Sequence, residues 1–118
     1  MSEQSELGKQ GEGIATEHLA SSGYRILKRN FRFGKAEVDI VARKNNRMVF
    51  VEVKTRRSPF LSKPEFTIPL KKQRQMIKAA DGYLKQHDID LESRFDVITV
   101  IVNDASNRID HLEGAFYP

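Results

Sequence analysis

Two runs of alternating residues, "AEVDIVARK" and "RMVFVEVKTRR", flank the pair Asn45-Asn46, and nothing else in the chain restricts its fold as sharply. Successive strand side chains point to opposite faces. In the second run Val49, Val51, Val53 and Thr55 share one face, and Phe50, Glu52, Lys54 and Arg56 the other. Asparagine tolerates positive φ, so Asn45-Asn46 suits a two-residue hairpin turn. That turn opposes Asp39 to Glu52 and Glu37 to Lys54, and puts Val38, Ile40 and Ala42 on the face of the valines. A slip of one residue would send Asp39 and Glu52 to opposite faces.

Around this hairpin the remaining elements fall into place. "SELGKQGEGIATEHLASSG" reads as a helix: Ser5 can cap it, Leu7, Ile14, Ala15 and Leu19 recur at helical spacing, and Gly23 suits a left-handed end. Glycine costs about 1 kcal/mol inside a helix. Gly8, Gly11 and Gly13 therefore imply close approach to another backbone or a late helix start. "YRILKRNFRF" reads as a strand with a basic outer face. "SPFLSKPEFTIP" is a Pro-punctuated loop of binding or mobile character. From Pro69, an amphipathic helix carries Leu70, Ile77, Ala80 and Leu84 as its apolar stripe, with Gln73 on or beside it. "RFDVITVIV" is a buried inner strand, and "RIDHLEGAF" a weaker last one. The order α-βββ-α-β-β implies one α/β domain over residues 1–118, a mixed sheet flanked by helices.

Composition narrows the chemistry. With 118 residues the chain can bury roughly two-thirds of its unfolded surface. It has no cysteine, which excludes disulfides and thiolate catalysis. No apolar run has the length of a membrane span, and the polar start is not signal-like, so a cytoplasmic location is expected. Charge is segregated: residues 25–57 hold 11 Lys/Arg against 3 Asp/Glu, whereas residues 87–118 hold 2 against 7. A basic middle segment is what a polyanionic partner requires, but a solvated Lys/Arg-rich surface is the commoner meaning, so charge alone does not decide.

Opposed carboxylates repel by up to about 1 kcal/mol in a sheet, and a divalent cation reverses the sign. Mg²⁺ (or Mn²⁺) takes one or two carboxylates with waters and phosphate oxygens. Asp39 and Glu52 would be its ligands, with the Val53 carbonyl as an extra one, and Lys54 would stabilise charge growing on a phosphate. The same residues would also serve as a surface hairpin held by ordinary cross-strand pairs, Glu37–Lys54 foremost. Arg56, Arg57, Lys71, Lys72 and Arg74 are candidate phosphate contacts. Asp96 beside Arg94 reads as a structural ion or hydrogen-bond partner. His18, His87 and His111 lack ligand spacing and read as structural or exposed.

The strings "GKQGE" (Gly8 to Glu12), "NFR", "AEVDIVAR", "VFVEVKTR", "LKKQRQMIKAADGYL" and "RFDVI" resemble, in order, the YraN family of small bacterial proteins. That family is similar to archaeal Holliday-junction resolvases among the PD-(D/E)xK, restriction-endonuclease-like nucleases. The resemblance implies that fold and a DNA endonuclease, acting on branched or otherwise structured DNA. It makes Asp39 and Glu52 metal ligands, Lys54 the catalytic lysine, Glu12 an additional acidic residue at the metal, and Gln73 a polar residue facing the site. By analogy with junction resolvases it implies a homodimer. Ala36 and Phe31 depart from the glycine and tryptophan usual there. Two rival readings stand beside the nuclease: a non-catalytic nucleic-acid-binding module of the same fold, and a protein–protein adaptor using the "SPFLSKPEF" loop.

Overall fold

A computed structural model describes residues 3–57 and 63–118 of the chain. The elements follow the expected order: α1 (Glu3–Ser21), β1 (Arg25–Phe33), β2 (Ala36–Lys44), β3 (Arg47–Arg57), α2 (Leu70–Gln86), β4 (Glu92–Val102) and β5 (Asn107–Phe116). The five strands form one sheet in the order β1-β2-β3-β4-β5. Asn45 takes φ 55° at the hairpin tip, and β2 pairs with β3 as Lys44↔Arg47 through Ile40↔Val51, the register expected from the sequence. Through α2 the chain crosses over, so β4 runs parallel to β3 from Arg47↔Glu92 to Arg57↔Val102. No helix among the described residues is long and apolar enough to cross a membrane.

Each helix covers one face of the sheet. Ala15 and Leu19 of α1 pack with Ile40, Ala42, Val49, Val51, Ile98 and Val100. Met76, Ala79, Ala80 and Tyr83 of α2 pack with Phe31, Val38, Val41, Phe50, Phe95 and Val97 on the other face. Fully burying a side chain such as Phe50 or Leu19 is worth about 1.5–3 kcal/mol. The face carrying Phe50, Glu52 and Lys54 is therefore interior around Phe50, not a solvated surface.

Helix details depart from expectation in three places. The first helix begins at Glu3, upstream of Ser5, whose capping side chain lies outside the described residues, as do residues 58–62 of the Pro-punctuated loop. A Cβ built on Gly11 would lie 1.7 Å from Thr55 Oγ1, whereas Gly8 and Gly13 have open space. The close approach is therefore to a β3 side chain, at one glycine of the three. In α2 the buried residues are Met76, Ala79, Ala80, Gly82 and Tyr83, and Leu70 is exposed. Phe33 packs where Gly82 lacks a Cβ, and Tyr83 turns edge-on to Phe31 and Phe50, which rotates the stripe away from Leu70.

The expected apolar face of β2 also breaks. Ile40 and Ala42 join the core under α1, but Val38 joins the core under α2. Residues two apart in a regular strand share a face, so the alternation reverses at Asp39. The partner strand reverses with it. Phe31 pairs with Val38 and Arg29 with Ile40, and Asn30 between them has φ 54°.

Candidate functional site

Beyond Ile40↔Val51 the β2–β3 ladder stops. There Asp39 Oδ2 accepts the Val53 amide proton at 2.8 Å, which satisfies a backbone donor that a carbonyl would otherwise take. The carboxylate thus lies in the parting between the strands, reached from both faces of the sheet. Glu52 approaches it from the α2 side, and burial, then the charge and hydrogen bond of Asp39, push its pKa up to about 8. The charges of Lys72 and Lys54 oppose that rise. Lys72 Nζ stands 3.8 Å from Glu52 Oε1.

Glu12 approaches Asp39 from the α1 side. Its pKa is raised, first by burial and then by the Asp39 charge, against the pull of Arg29 and of a hydrogen bond from the Asn30 side chain. Its Oε1 is buried and has no hydrogen-bond partner among the described residues. A polar atom so placed costs about 1–3 kcal/mol. Gly8, Glu12, Asp39, Val53, Arg56 and Arg57 line one cleft of about 390 Å³.

The remaining sequence-derived candidates scatter. Lys54 Nζ donates to the Thr67 carbonyl, and Glu37 pairs with Arg32 at 3.5 Å rather than with Lys54. Gln73 Nε2 donates to the Ile68 carbonyl at 2.9 Å, which secures the start of α2. An Arg56 Nη2 bond to the Lys63 carbonyl ties β3 to the segment before α2. Lys71 is exposed, and Arg74 lies beside Ile77, Lys78 and Phe95 in a cleft away from Asp39. Asn30 and Arg29 escaped the sequence reading. Their signal was an Asn inside the strand "RILKRNFRF", a residue type that tolerates positive φ where a strand normally excludes it.

On β4, where it pairs with Val51, Asp96 is fully buried and takes a bidentate Arg94 at 2.9 and 2.8 Å, His111 Nε2 at 2.7 Å and the Gly114 amide at 3.0 Å. Burial alone would raise its pKa, but these bonds outweigh that and lower it. Arg94 also donates to the Tyr24 hydroxyl. Asp96 and His111 are thus structural, as expected.

The side-chain donors at the parting are all oxygens: the adjoining carboxylates of Asp39 and Glu52 and the unpartnered Glu12 Oε1. That set suits a hard divalent cation. Among the described residues no three His, Cys, Asp or Glu side chains already stand as a metal-holding group, so a cation would use the pair with other oxygens.

The class is defined by this arrangement: a single α/β domain, a five-stranded mixed sheet with two helices, and an acidic pair where the central hairpin parts. The chain belongs to the uncharacterised protein family UPF0102, the YraN family, whose model matches residues 11–100. It is similar to a UPF0102 protein of Bacteroides thetaiotaomicron, 48% identical over 118 residues, covering 100% of this chain and 98% of that one. One from Christiangramia forsetii is 42% identical over 117 residues, covering 99% and 98%. Among solved structures, Pyrococcus furiosus SfsA in complex with Ca²⁺ aligns with a TM-score of 0.41 at 20% identity, covering 93% of this chain and 63% of that one.

Proposed function

We propose that the protein is a metal-dependent endonuclease hydrolysing phosphodiester bonds of DNA, with branched or structured DNA as substrate. The observation that carries this is the Asp39–Glu52 pair. Two carboxylates are brought together in a largely buried parting, where burial first and then the charge of Asp39 hold a proton on Glu52 near neutral pH. Such a pair is a standing cost in a metal-free protein, and a divalent cation removes it.

Asp39 and Glu52 would hold Mg²⁺ or Mn²⁺, with the Val53 carbonyl and Glu12 as further oxygen donors. When bound, the cation polarises a phosphoryl oxygen and lowers the pKa of water. The chain's own residues do the rest. The Val53 amide fixes the Asp39 carboxylate, so its orientation is set before substrate arrives. Arg56 and Arg57 line the same cleft and would bind the flanking phosphates. Lys54, two residues beyond Glu52 on one strand face, would stabilise charge on the reacting phosphate once its ammonium leaves the Thr67 carbonyl.

That Lys54–Thr67 bond favours the second reading, a nucleic-acid-binding module without catalysis, because it draws the ammonium toward the segment before α2. One experiment separates the two. Linear, single-stranded and four-way-junction DNA, with RNA counterparts, are incubated with Mg²⁺ or Mn²⁺ and with wild type, Glu52→Gln or Lys54→Ala. Metal-dependent cleavage by wild type, abolished in both variants, is the expected result. Salt-dependent binding without cleavage of any substrate would leave the binding module as the answer.

A further inference from the structure

Among the described residues three that are not glycine have positive φ: Asn30, Asn45 and Asp88. Asn45 makes the hairpin turn and Asp88 follows the end of α2. Asn30 has no turn to make. It lies inside β1, with strand residues on both sides, where a left-handed residue costs strand geometry.

What the distortion does can be read from its neighbours. On either side of Asn30 the pairing with β2 is regular, as Arg29↔Ile40 and Phe31↔Val38. Yet Ile40 belongs to the core under α1 and Val38 to the core under α2. Directly opposed residues share a face, so both strands reverse between these pairs, and Asp39 is the residue opposite Asn30. A regular β1 would keep Val38 and Ile40 on one face and turn Asp39 fully to the other. The reversal leaves Asp39 between the faces, where its carboxylate meets the Val53 amide. It also aligns Arg29 with the α1 face, the face of Glu12.

Glu12 stands on the α1 side of the same cleft, its Oε1 buried and without a hydrogen-bond partner among the described residues.

We propose that Asn30 is a positioning residue of the acidic site: its left-handed backbone sets Asp39 into the parting of β2 and β3. This deepens the reading of the cleft as a metal site, and the structural half stands without metal. Glycine, which adopts the same φ freely, would serve as well, and a β-branched residue would not.

The test uses the full chain with Asn30→Gly, which keeps the positive φ and removes the amide, and Asn30→Val, which disfavours that φ. In metal-free protein the Val53 amide proton shift reports its bond to Asp39. Mn²⁺ affinity is then measured from the electron paramagnetic resonance of free Mn²⁺. Asn30→Gly should keep the Val53 shift and the Mn²⁺ affinity of wild type, whereas Asn30→Val should move the shift and weaken Mn²⁺ binding by about tenfold. An unmoved Val53 shift in folded Asn30→Val would overturn the proposal. Wild type that binds no Mn²⁺ would instead count against the metal reading, with the Val53 shift still deciding Asn30.

Discussion

Replacing Glu52 by glutamine should stabilise the metal-free protein, and by an amount that grows with pH. Glu52 has its pKa raised from 4.5 to about 8, chiefly by burial and then by Asp39. In the unfolded chain it titrates near the ordinary value. Below that value both states hold the proton, and the carboxyl costs nothing that a glutamine amide in its place would not. As pH climbs toward 8 the unfolded chain releases the proton while the folded one keeps it, so folding loses ground by roughly 1.4 kcal/mol per pH unit. Over the whole interval the ceiling is about 5 kcal/mol, comparable with the total stability of many small domains. Lys72, at 3.8 Å and one-third exposed, answers part of the ionised charge through water-weakened attraction. A realised effect of about 2–4 kcal/mol at pH 9 is therefore expected.

Urea unfolding of wild type and Glu52→Gln in chelator, at intervals from pH 4 to pH 9, reads this directly. The two curves should coincide at the acid end and diverge steadily above about pH 5, with the variant more stable. Adding Mg²⁺ or Mn²⁺ at high pH should then raise wild type and leave the variant nearly unchanged, since binding to the folded state stabilises by mass action. Parallel curves across the whole range would refute the reasoning, because they would mean that Glu52 ionises in the fold as freely as in the unfolded chain.

Three further substitutions probe the frame and the chemistry. Gly11→Ala drives a methyl against Thr55 Oγ1 and should cost about 1–3 kcal/mol, whereas Gly13→Ala, with open space around it, should stabilise by about 0.5–1 kcal/mol; chemical denaturation compares them. Asp96→Asn leaves Arg94 and His111 without their carboxylate in a buried site and should lower stability by about 3–5 kcal/mol, seen as a large drop in thermal midpoint. Lys54→Ala should leave thermal stability within about 0.5 kcal/mol of wild type. If Lys54 acts on the phosphate, the same variant should cut nucleic acid at least about 100-fold more slowly in single-turnover assays.

The register of the central hairpin was legible because two independent signals agreed, the Asn45-Asn46 turn and the valine alternation. The α1 face was legible for the same reason, with Ala15 and Leu19 falling where helical spacing put them. Val38 was not. Alternation assumes an unbroken strand, and the break is caused by the backbone of Asn30, on the neighbouring strand and directly across in space from Asp39. Tyr83 and Leu70 exchanged places for a related reason. An apolar stripe counts side chains, but Gly82 determines the facing surface by lacking one, and Phe33 fills that space. Local sequence carries periodicity well; it carries poorly the places where one element deforms to admit another.

Those places coincide here with the acidic site. In a regular sheet Asp39 and Glu52 would be opposed on one face, exposed or covered together, and the pair would amount to a repulsive cross-strand contact of about 1 kcal/mol or less. The reversal at Asn30 and the end of the ladder after Ile40↔Val51 change what the pair is. Asp39 is anchored by a backbone amide in the sheet plane, Glu52 is pressed against it from the α2 side, and Glu12 reaches it from the α1 side. Repulsion is concentrated in a buried spot because the surrounding frame enforces it. Alternation and helix packing alone would give a more stable sheet with a straight β1. The defect is therefore best read as the part of the fold that the site requires, and the gain in stability expected from Glu52→Gln is a direct measure of what it costs.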